Sequence, residues 1–460
     1  MDKKVLVIGL DCATSQILFD QKEKLPVLRE LMDHGIHGNL RSSDPPITIP
    51  AWMVMCTGKD PGKLGLYGFR HRKNYSYKDI WIATSYSIKE KTVWDIIGEN
   101  HGQSCIVSVP PSYPPKPVNG NLISCFITPG DDKDYTYPTD LRAELEEKLG
   151  PYIFDVVFRT DNKDKLLEQI YAMTEQRFRV LNYLATKKPW DFFMFVEIGV
   201  DRIHHAFWRY MDKNHHLYVE GNPYENVIID YYKRVDTLIG ELLSNVDKDT
   251  TVLVVSDHGA KRMKGAFCIN EWLIEQGDLV VKEMPQSPIS FDKLEVDWSR
   301  TKAWGWGGYY ARIFFNVEGR EEHGIVTIEN YKKERESLME KLAEIKGPDG
   351  EEWETKLIKP QKYFRELNGD YPDLMVYFDD LFWRSAGTLG HGTKYLLEND
   401  TGPDDAVHAQ DGIYILYDPK NKSGERKDAS ILDIAPTILS QMGLSVPGDM
   451  RGNIIARKGK

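Results

Sequence analysis

The chain has 460 residues, 41% of them hydrophobic and 28% charged, so it can bury a sizeable core and does not have the composition of a disordered protein. Its formal net charge of −11 argues against a general affinity for nucleic acid. No apolar run approaches the ~20 residues of a membrane span, and the N-terminus lacks the features of a signal peptide. The five cysteines are scattered and form no CxxC pair, which favours reduced thiols and a cytoplasmic location.

Apolar runs along the chain predict the strands of a central sheet. They cover residues 5–10, 105–109, 192–199, 251–256 and 413–416. Because each run is nearly continuous in apolar residues, it is typical of a strand that is covered on both faces. Helical patterns, with apolar residues at three- and four-residue spacing, lie between these runs at 164–186, 224–245 and 326–346. The alternation predicts an α/β fold with a mostly parallel central sheet flanked by helices.

Two stretches interrupt this alternation. Residues 110–138 belong to a loop-rich insertion at 68–138; they are rich in Pro, Gly and Tyr and predict a loop. Residues 280–370 combine the strand-like YYARIFFNV, a charged helix and Gly-Pro turns, which predicts an inserted cap over one face of the core. The core would then consist of residues 1–279 and 371–460.

Acidic and histidine residues follow the ends of several predicted strands. Asp11 follows VLVIGL, and Asp257 and His258 follow TVLVVS. The segment DRIHH, shortly after FFMFVEIG, places Asp201 and His205 four residues apart, which is one face of a helix if a helix begins there. In open α/β sheets, ligands bind beyond the carboxyl ends of the strands. Carboxylates and imidazoles that converge there are the usual ligands of zinc or manganese.

A late histidine extends this set. His408, in DDAVHAQDGIYIL, lies directly before another apolar strand. Each member also has an ordinary structural explanation, because Asp11 can serve a turn, DRIHH can be an exposed helix start and SDHG can be a simple turn. If all of these explanations held, acidic and histidine residues would follow several separate strands by chance alone. Together the residues therefore favour a two-metal site.

The segment DPPITIPAWMVMCTGKDPGKLG at 44–65 offers a nucleophile. Its prolines disfavour an earlier helix start, and the apolar AWMVMC predicts a buried helix. Thr48 would then lie near a helix N-terminus, where free N–H groups favour anions. A hydroxyl that touches a divalent cation can be deprotonated at neutral pH and attack phosphorus. Without the metal ligands, Thr48 would be interpreted as a plain helix cap.

Taken together, these motifs resemble the alkaline phosphatase superfamily, specifically its type I phosphodiesterase/nucleotide pyrophosphatase branch and, within it, a cytosolic phosphohydrolase/phosphomutase-like group of archaea and bacteria. The motifs are, in order, VIGLDCAT, PPITIPAWMVMCTGKDPGK, TVWDII with VPPSYPPKPVNG, VDRIHHAFWRYMD, VVSDHGA, ENDTGPDDAVHAQDGIYI, and DIAPTIL with GDMRG. The resemblance implies an alkaline phosphatase-like three-layer sandwich with an inserted cap. It also implies a metal-dependent hydrolase of phosphoric esters whose partner is a small-molecule phosphate ester, with neither a membrane nor a nucleic-acid polymer involved.

The resemblance further implies a role for each candidate residue. Two divalent ions are expected, with zinc as the first choice and manganese as the alternative. Thr48 would attack the phosphoryl group, and a metal-bound water would then hydrolyse the phospho-threonine. The implied ligands are Asp201, His205 and His408 for one ion, and Asp11, Thr48, Asp257 and His258 for the other.

The sequence departs from its relatives at three positions. Ala51 stands where extracellular nucleotide pyrophosphatases have an Asn whose amide helps to bind phosphate, so another group must supply that contact. Leu64 stands where the relatives often have His. His391, in LGHGTKY, is an alternative to His408 as the third ligand of the first ion. The HAQDGIYI context, immediately before a strand, favours His408.

Other functions of the same fold remain as alternatives. Sulfatases need an oxidisable Cys or Ser and an Arg in C/S-x-P-x-R, and the segment TIPAW that begins at Thr48 lacks both. A phosphomutase or phosphomonoesterase shares the metal set and is the closest alternative. A catalytically silent binding protein is a third, against which the intact ligand set argues. The aromatic run AWGWGGYY at 303–310 is either a stacking surface for a base or sugar, or core of the insertion.

Overall fold

The computed structural model describes residues 3–457. A ten-stranded sheet forms its centre, with the longer strands in the spatial order Ile36–Arg41, Asp411–Tyr417, Thr251–Val255, Val5–Leu10, Phe192–Glu197, Ser104–Val107 and Gly120–Ile123. The last five of these are parallel to one another, whereas Asp411–Tyr417 is antiparallel to both of its neighbours. Three short strands complete the sheet at its edges, namely Thr136–Tyr137, Glu425–Arg426 and Ala429–Ser430. The prediction of a mostly parallel α/β sheet is confirmed.

Both faces of this sheet are covered. Alternate residues of a strand point to opposite faces, so Leu6 and Ile8 pack in one core while Val5 and Val7 pack in the other. The first core includes side chains of the helices Pro26–His34, Lys163–Lys187, Gly199–Met211 and Val227–Ser244. The second core includes side chains of the helices Thr48–Thr57, Val93–Glu99 and Ile434–Gln441. This arrangement is the three-layer sandwich that was expected.

The prediction that 110–138 is entirely loop is wrong. Gly120–Ile123 pairs in parallel with Ser104–Val107 and antiparallel with Thr136–Tyr137, so it is a strand of the central sheet. Its apolar run is short and lies between a Pro-rich segment and a Gly-containing loop, which hides the strand pattern in the sequence. The backbone hydrogen bonds to the neighbouring strand stabilise it there.

A second sheet lies outside the sandwich and has a core of its own. Its strands, in spatial order and all antiparallel, are Ala303–Trp306, Ala311–Phe315, Leu374–Tyr377 and Lys356–Ile358. The helices Ile269–Glu275 and Ile328–Ala343 contribute side chains to the same core. The sheet thus spans most of the predicted insertion and takes one strand from beyond residue 370. The division of the chain at 279 and 370 remains a prediction.

The predicted helices 164–186, 224–245 and 326–346 are confirmed at Lys163–Lys187, Val227–Ser244 and Ile328–Ala343. None of the helices in residues 3–457 combines the length and the apolar character needed to cross a membrane. The remaining α-helices are Ser15–Leu18, Pro61–Leu64, Leu141–Leu149 and Pro360–Tyr363. The remaining strands pair as Arg70–Arg72 with Ile80–Ile82, Gly259–Arg262 with Ala406–Ala409, Gly265–Cys268 with Trp383–Ala386 and Tyr395–Leu396, and Ile289–Ser290 with Thr388–Leu389.

Candidate active site

Thr48 is the first residue of a buried helix. The preceding residue, Ile47, is extended, and the helix runs from Thr48 to Thr57 with all of its residues buried. Pro50 lies in the first turn, where its missing N–H would have had no partner within the helix. The hydroxyl oxygen of Thr48 lies 3.3 Å from Nε2 of His258. The predicted buried helix and the place of Thr48 at its N-terminus are therefore confirmed.

The central strands bring two of the predicted carboxylates together. Val5–Leu10 lies between Phe192–Glu197 and Thr251–Val255, so the residues after these strands meet at one edge of the sheet. Trp52 Nε1 donates a hydrogen bond of 2.8 Å to one oxygen of Asp11. The other oxygen of Asp11 and one oxygen of Asp257 are buried and accept no hydrogen bond from the described residues. They lie 3.8 and 3.1 Å from Nε2 of His258, as ligands of a common cation would.

The helix Gly199–Met211 supplies the opposite side of the site. Asp201 and His205 are buried on one face of this helix, with 3.2 Å between the carboxylate and Nε2, as their spacing predicted. The ring of His408 stacks on that of His258, with 3.7 Å between centroids, and lies 5.5 Å from the ring of His205. Nδ1 of His408 lies 2.8 Å from the carbonyl oxygen of Pro46, which leaves Nε2 available as a metal ligand.

The structure brings together the predicted ligands from two strand ends, two helices and one short strand. In the described part of the chain, His391 belongs to none of the groups that could hold a metal. Its Nε2 lies 2.7 Å from the hydroxyl of Thr388, and its backbone N–H donates to Glu271. Three groups have all their ligand atoms within 4.8 Å of one another: Asp11, Asp257 and His258; Asp201, His258 and His408; and Cys12, Asp201 and His205.

The electrostatics of this cluster fit a bound cation. Burial and the charges of Asp257 and Asp201 raise the pKa of Asp11 well above its ordinary value. Burial would also raise the pKa of Asp201, but His205 and Arg202 lower it well below its ordinary value. Carboxylates that are buried together repel one another unless positive charge is supplied. A divalent cation would remove this repulsion, so the residues present fit a metal site.

The residues that hold His205 were not predicted from the sequence. Asp404 is fully buried, and one of its oxygens lies 2.7 Å from Nδ1 of His205. Its other oxygen lies 2.8 Å from Arg384 Nη1 and 3.1 Å from Arg159 Nη2. Asp404 lies in the ENDTGPDDAVHAQDGIYI motif, but only the fold brings it next to a residue 199 positions earlier. A carboxylate at this place orients a ligating histidine and fixes its tautomer.

The aromatic run AWGWGGYY divides between the core and the site. Trp304 is fully buried in the core of the second sheet. Tyr309, in the turn after it, is half-buried and its ring stacks on His408 with 3.8 Å between centroids. The hydroxyl of Tyr309 lies 3.3 Å from Nε2 of His205. The turn of this run therefore lies at the site, and its contacts with His205 and His408 were not predicted from the sequence.

Two solved structures have folds similar to that of this chain. The fold is similar to human ectonucleotide pyrophosphatase/phosphodiesterase 5 (TM-score 0.56, 13% identity, 98% of this chain and 97% of that one). It is also similar to the murine protein, solved in an inactive form in complex with AMP (TM-score 0.55, 12% identity, 98% of each chain). At these identities the similarity shows the fold.

Short stretches also match 2,3-bisphosphoglycerate-independent phosphoglycerate mutases. The mutase of Bacteroides thetaiotaomicron is 34% identical over 67 residues, which is 15% of this chain and 13% of the mutase. That of Clostridium kluyveri is 35% identical over 71 residues, 15% of this chain and 14% of the mutase. These matches cover only a small part of either mutase.

A family model is matched over nearly the whole chain. The model for type I phosphodiesterase/nucleotide pyrophosphatase matches residues 5–404. Enzymes of this family act on small phosphate esters or nucleotides with the help of metal ions. The matched range contains the strand-end carboxylates, Thr48 and the helix with Asp201 and His205. The chain belongs to the type I phosphodiesterase/nucleotide pyrophosphatase family, a branch of the alkaline phosphatase superfamily of phosphoryl-transfer enzymes.

Proposed function

We propose that the protein is a metal-dependent phosphoric ester hydrolase of the phosphodiesterase/nucleotide pyrophosphatase type that works through a phospho-threonine at Thr48. The proposal rests on the position of the Thr48 hydroxyl. The Thr48 hydroxyl lies at a buried helix N-terminus, 3.3 Å from His258, within a cluster of buried carboxylates and histidines. Two of the carboxylate oxygens in that cluster accept no hydrogen bond from the described residues. The substrate is a small phosphate ester.

The ligand sets follow the sequence prediction. Two divalent ions, zinc in the first instance or manganese, would neutralise charge on the phosphoryl group and lower the pKa of the attacking hydroxyl. Five cysteines, all buried and unpaired, support a cytoplasmic location. The residues that would hold the ions are Asp201, His205 and His408 on one side, and Asp11, Thr48, Asp257 and His258 on the other.

The reaction has two displacements. Oγ1 of Thr48 forms a bond to phosphorus as the bond to the leaving alcohol breaks, and the alcohol takes up a proton. Water then attacks the phospho-threonine, which releases the phosphate product and restores the hydroxyl of Thr48. The free N–H groups at the N-terminus of the helix Thr48–Thr57 would favour the negative charge of the phosphoryl oxygens.

A phosphomutase is the second candidate, and the partial matches to phosphoglycerate mutases favour it. It would use the same phospho-threonine but transfer the phosphoryl group to a hydroxyl of the substrate instead of to water. Hydrolysis in water enriched in ¹⁸O separates the two. Incorporation of ¹⁸O into released phosphate supports the hydrolase, and isomerised phosphate ester without incorporation supports the mutase.

The decisive experiment compares Thr48→Ala with a matched control at the other end of the same helix. Thr57 is also buried, but its hydroxyl donates to the carbonyl of Met53, so Thr57→Ala should leave activity unchanged. Aryl phosphodiesters, phosphomonoesters and sulfates are assayed with metal-loaded protein. Thr48→Ala should retain its metal and lose at least about 1000-fold in turnover, and Thr48→Ser should keep part of it.

Two further readouts complete the test. Acid quenching during turnover should trap phosphate on the peptide that contains Thr48, and removal of the metal by a chelator should abolish hydrolysis until zinc or manganese is restored. A fully active Thr48→Ala variant would show that Thr48 is not the nucleophile. Undiminished hydrolysis without bound metal would refute the metal site.

A further inference from the structure

Apart from backbone N–H groups and Thr48 itself, the first turn of the helix that begins at Thr48 offers a phosphoryl group only apolar side chains. Ala51, in its first turn, is fully buried and ends in a methyl group. The nearby side chains of Asp11, Asp201 and Asp257 are acceptors when ionised. A side-chain donor to a phosphoryl group at Thr48 must therefore come from another part of the fold.

We propose that the hydroxyl of Tyr309 is this donor and forms a hydrogen bond to a phosphoryl oxygen of the bound substrate. Tyr309 comes from the turn between two strands of the second sheet and not from the sandwich that holds the ligands. Its hydroxyl lies at the edge of the cluster, 3.3 Å from Nε2 of His205. The inference rests on the proposed phosphoryl transfer at Thr48 and adds a catalytic residue to it.

The O–H of Tyr309 has no close acceptor, although Arg159 lies near enough to donate to its oxygen. It lies 3.3 and 3.4 Å from the two ring nitrogens of His205 and 3.4 Å from an oxygen of Asp404. These distances are long for a hydroxyl donor, whose usual distance is about 2.7–2.8 Å. Asp404 and His205 are closer to each other, at 2.7 Å. The phenol is thus free to turn its O–H towards an incoming phosphoryl oxygen.

The ring of Tyr309 is nevertheless fixed. One face stacks on His408, at 3.8 Å between centroids, and the guanidinium of Arg384 lies 4.6 Å from the ring centroid. The adjacent backbone is pinned, because Gly308 and Ser385 exchange two hydrogen bonds of 2.8 and 2.9 Å. A Cβ at Gly307 would lie 2.3 Å from a backbone nitrogen, so only glycine fits there. The donor is therefore pre-positioned, as a group that stabilises a transition state must be.

The variant that tests this removes only the hydroxyl. Tyr309→Phe keeps the stacking on His408, and Tyr310→Phe makes the same chemical change one residue later. The hydroxyl of Tyr310 is buried and donates to the carbonyl of Tyr67, away from the cluster. Both variants are compared with the wild type and with Thr48→Ala. The measurements are kcat/KM for an aryl phosphodiester, binding of orthovanadate by calorimetry and metal content.

Tyr309→Phe should lower kcat/KM by about 100-fold, the typical loss for one donor to a developing anion. It should weaken orthovanadate binding by a similar factor and keep the wild-type metal content. Tyr310→Phe should match the wild type in all three measurements.

Three results would distinguish a failure of the inference about Tyr309 from a failure of the proposed function. If Tyr309→Phe is as active as the wild type and binds orthovanadate equally well, while Thr48→Ala is inactive, the inference is wrong and the proposed function stands. If Tyr309→Phe loses metal, Tyr309 is a positioning residue for His205 and the inference is also wrong. If the wild type hydrolyses no phosphate ester, the proposed function fails, and weaker orthovanadate binding by Tyr309→Phe would still support the donor.

Discussion

Asp404→Asn is the substitution that most directly tests how His205 is held. The carboxylate of Asp404 is fully buried and accepts from His205 Nδ1 at 2.7 Å, Arg384 Nη1 at 2.8 Å and Arg159 Nη2 at 3.1 Å. An asparagine has nearly the same size but only one acceptor oxygen. If this oxygen faces His205, the amide N–H₂ opposes the guanidinium of Arg384. If the side chain turns over, the amide forces Nδ1 to accept, which places the ring proton on Nε2, the atom required by a metal.

The substitution should reduce both the metal affinity and the free energy of unfolding. Residues that orient a ligating histidine typically contribute 10- to 100-fold to metal affinity, or about 1.4–2.8 kcal/mol. Burial opposes ionisation of Asp404, but His205 and Arg384 outweigh it and lower its pKa to about 2. This shift corresponds to about 2 kcal/mol of stability. Because the pKa is lowered, that stability is present above the carboxyl's ordinary pKa and is lost as the pH falls towards 2.

Calorimetric titration with zinc and urea unfolding of the metal-free protein measure the two effects separately. The matched control is Asp405→Asn. Asp405 is also buried and lies 2.5 Å from Arg209 Nε, but its carboxylate does not touch a histidine of the cluster. We expect Asp404→Asn to be less stable and to bind zinc 10- to 100-fold more weakly, and Asp405→Asn to keep the wild-type zinc affinity. Wild-type zinc affinity in Asp404→Asn would refute the role of Asp404.

The remaining predictions concern three histidines. His408→Ala should weaken metal binding and reduce turnover by at least about 100-fold. His391→Ala should keep turnover within about threefold of the wild type, because Nε2 of His391 faces Thr388. A larger loss in His391→Ala than in His408→Ala would exclude His408 as the ligand. Burial lowers the pKa of His71 to about 3. Below about pH 6.5 this histidine is therefore protonated in the unfolded chain but stays neutral in the folded protein. As the pH falls through this range, the group should reduce the free energy of unfolding by about 1.4 kcal/mol per pH unit. His71→Gln, whose side-chain carbonyl oxygen can still accept the N–H of Tyr67, should show a smaller slope in urea unfolding between about pH 6 and about pH 4. An unchanged slope would contradict the lowered pKa.

The clustering of the candidate ligands was predictable because each one is tied to a local pattern. Asp11 follows one buried strand directly, Asp257 and His258 follow its neighbour, and parallel strands bring their carboxyl ends to the same edge. The four-residue spacing of Asp201 and His205 needs only a helix, which begins at Gly199. In these cases the position along the chain determines the position in space.

The supporting residues could not be predicted in the same way. Asp404 contacts His205 across 199 positions, Tyr309 contacts it across 104, and Trp52 contacts Asp11 across 41. Such contacts depend on how separate elements pack, and no spacing rule connects them. The strand Gly120–Ile123 was missed for a related reason, since its assignment depends on pairing with Ser104–Val107 more than on its own short apolar run.

The second sheet contacts the site in two places, near Thr48 and at His408. Asp44, four residues before Thr48, is buried, and one of its oxygens lies 3.0 Å from Lys356 Nζ and 3.1 Å from the hydroxyl of Tyr377. Both partners belong to strands of the second sheet, and so does the turn that stacks Tyr309 on His408. Changes in this sheet can therefore alter the geometry at Thr48 and at the histidines without touching any candidate ligand. The motifs that contain the candidate ligands thus do not determine the geometry of the site alone, because residues of the second sheet contribute to it.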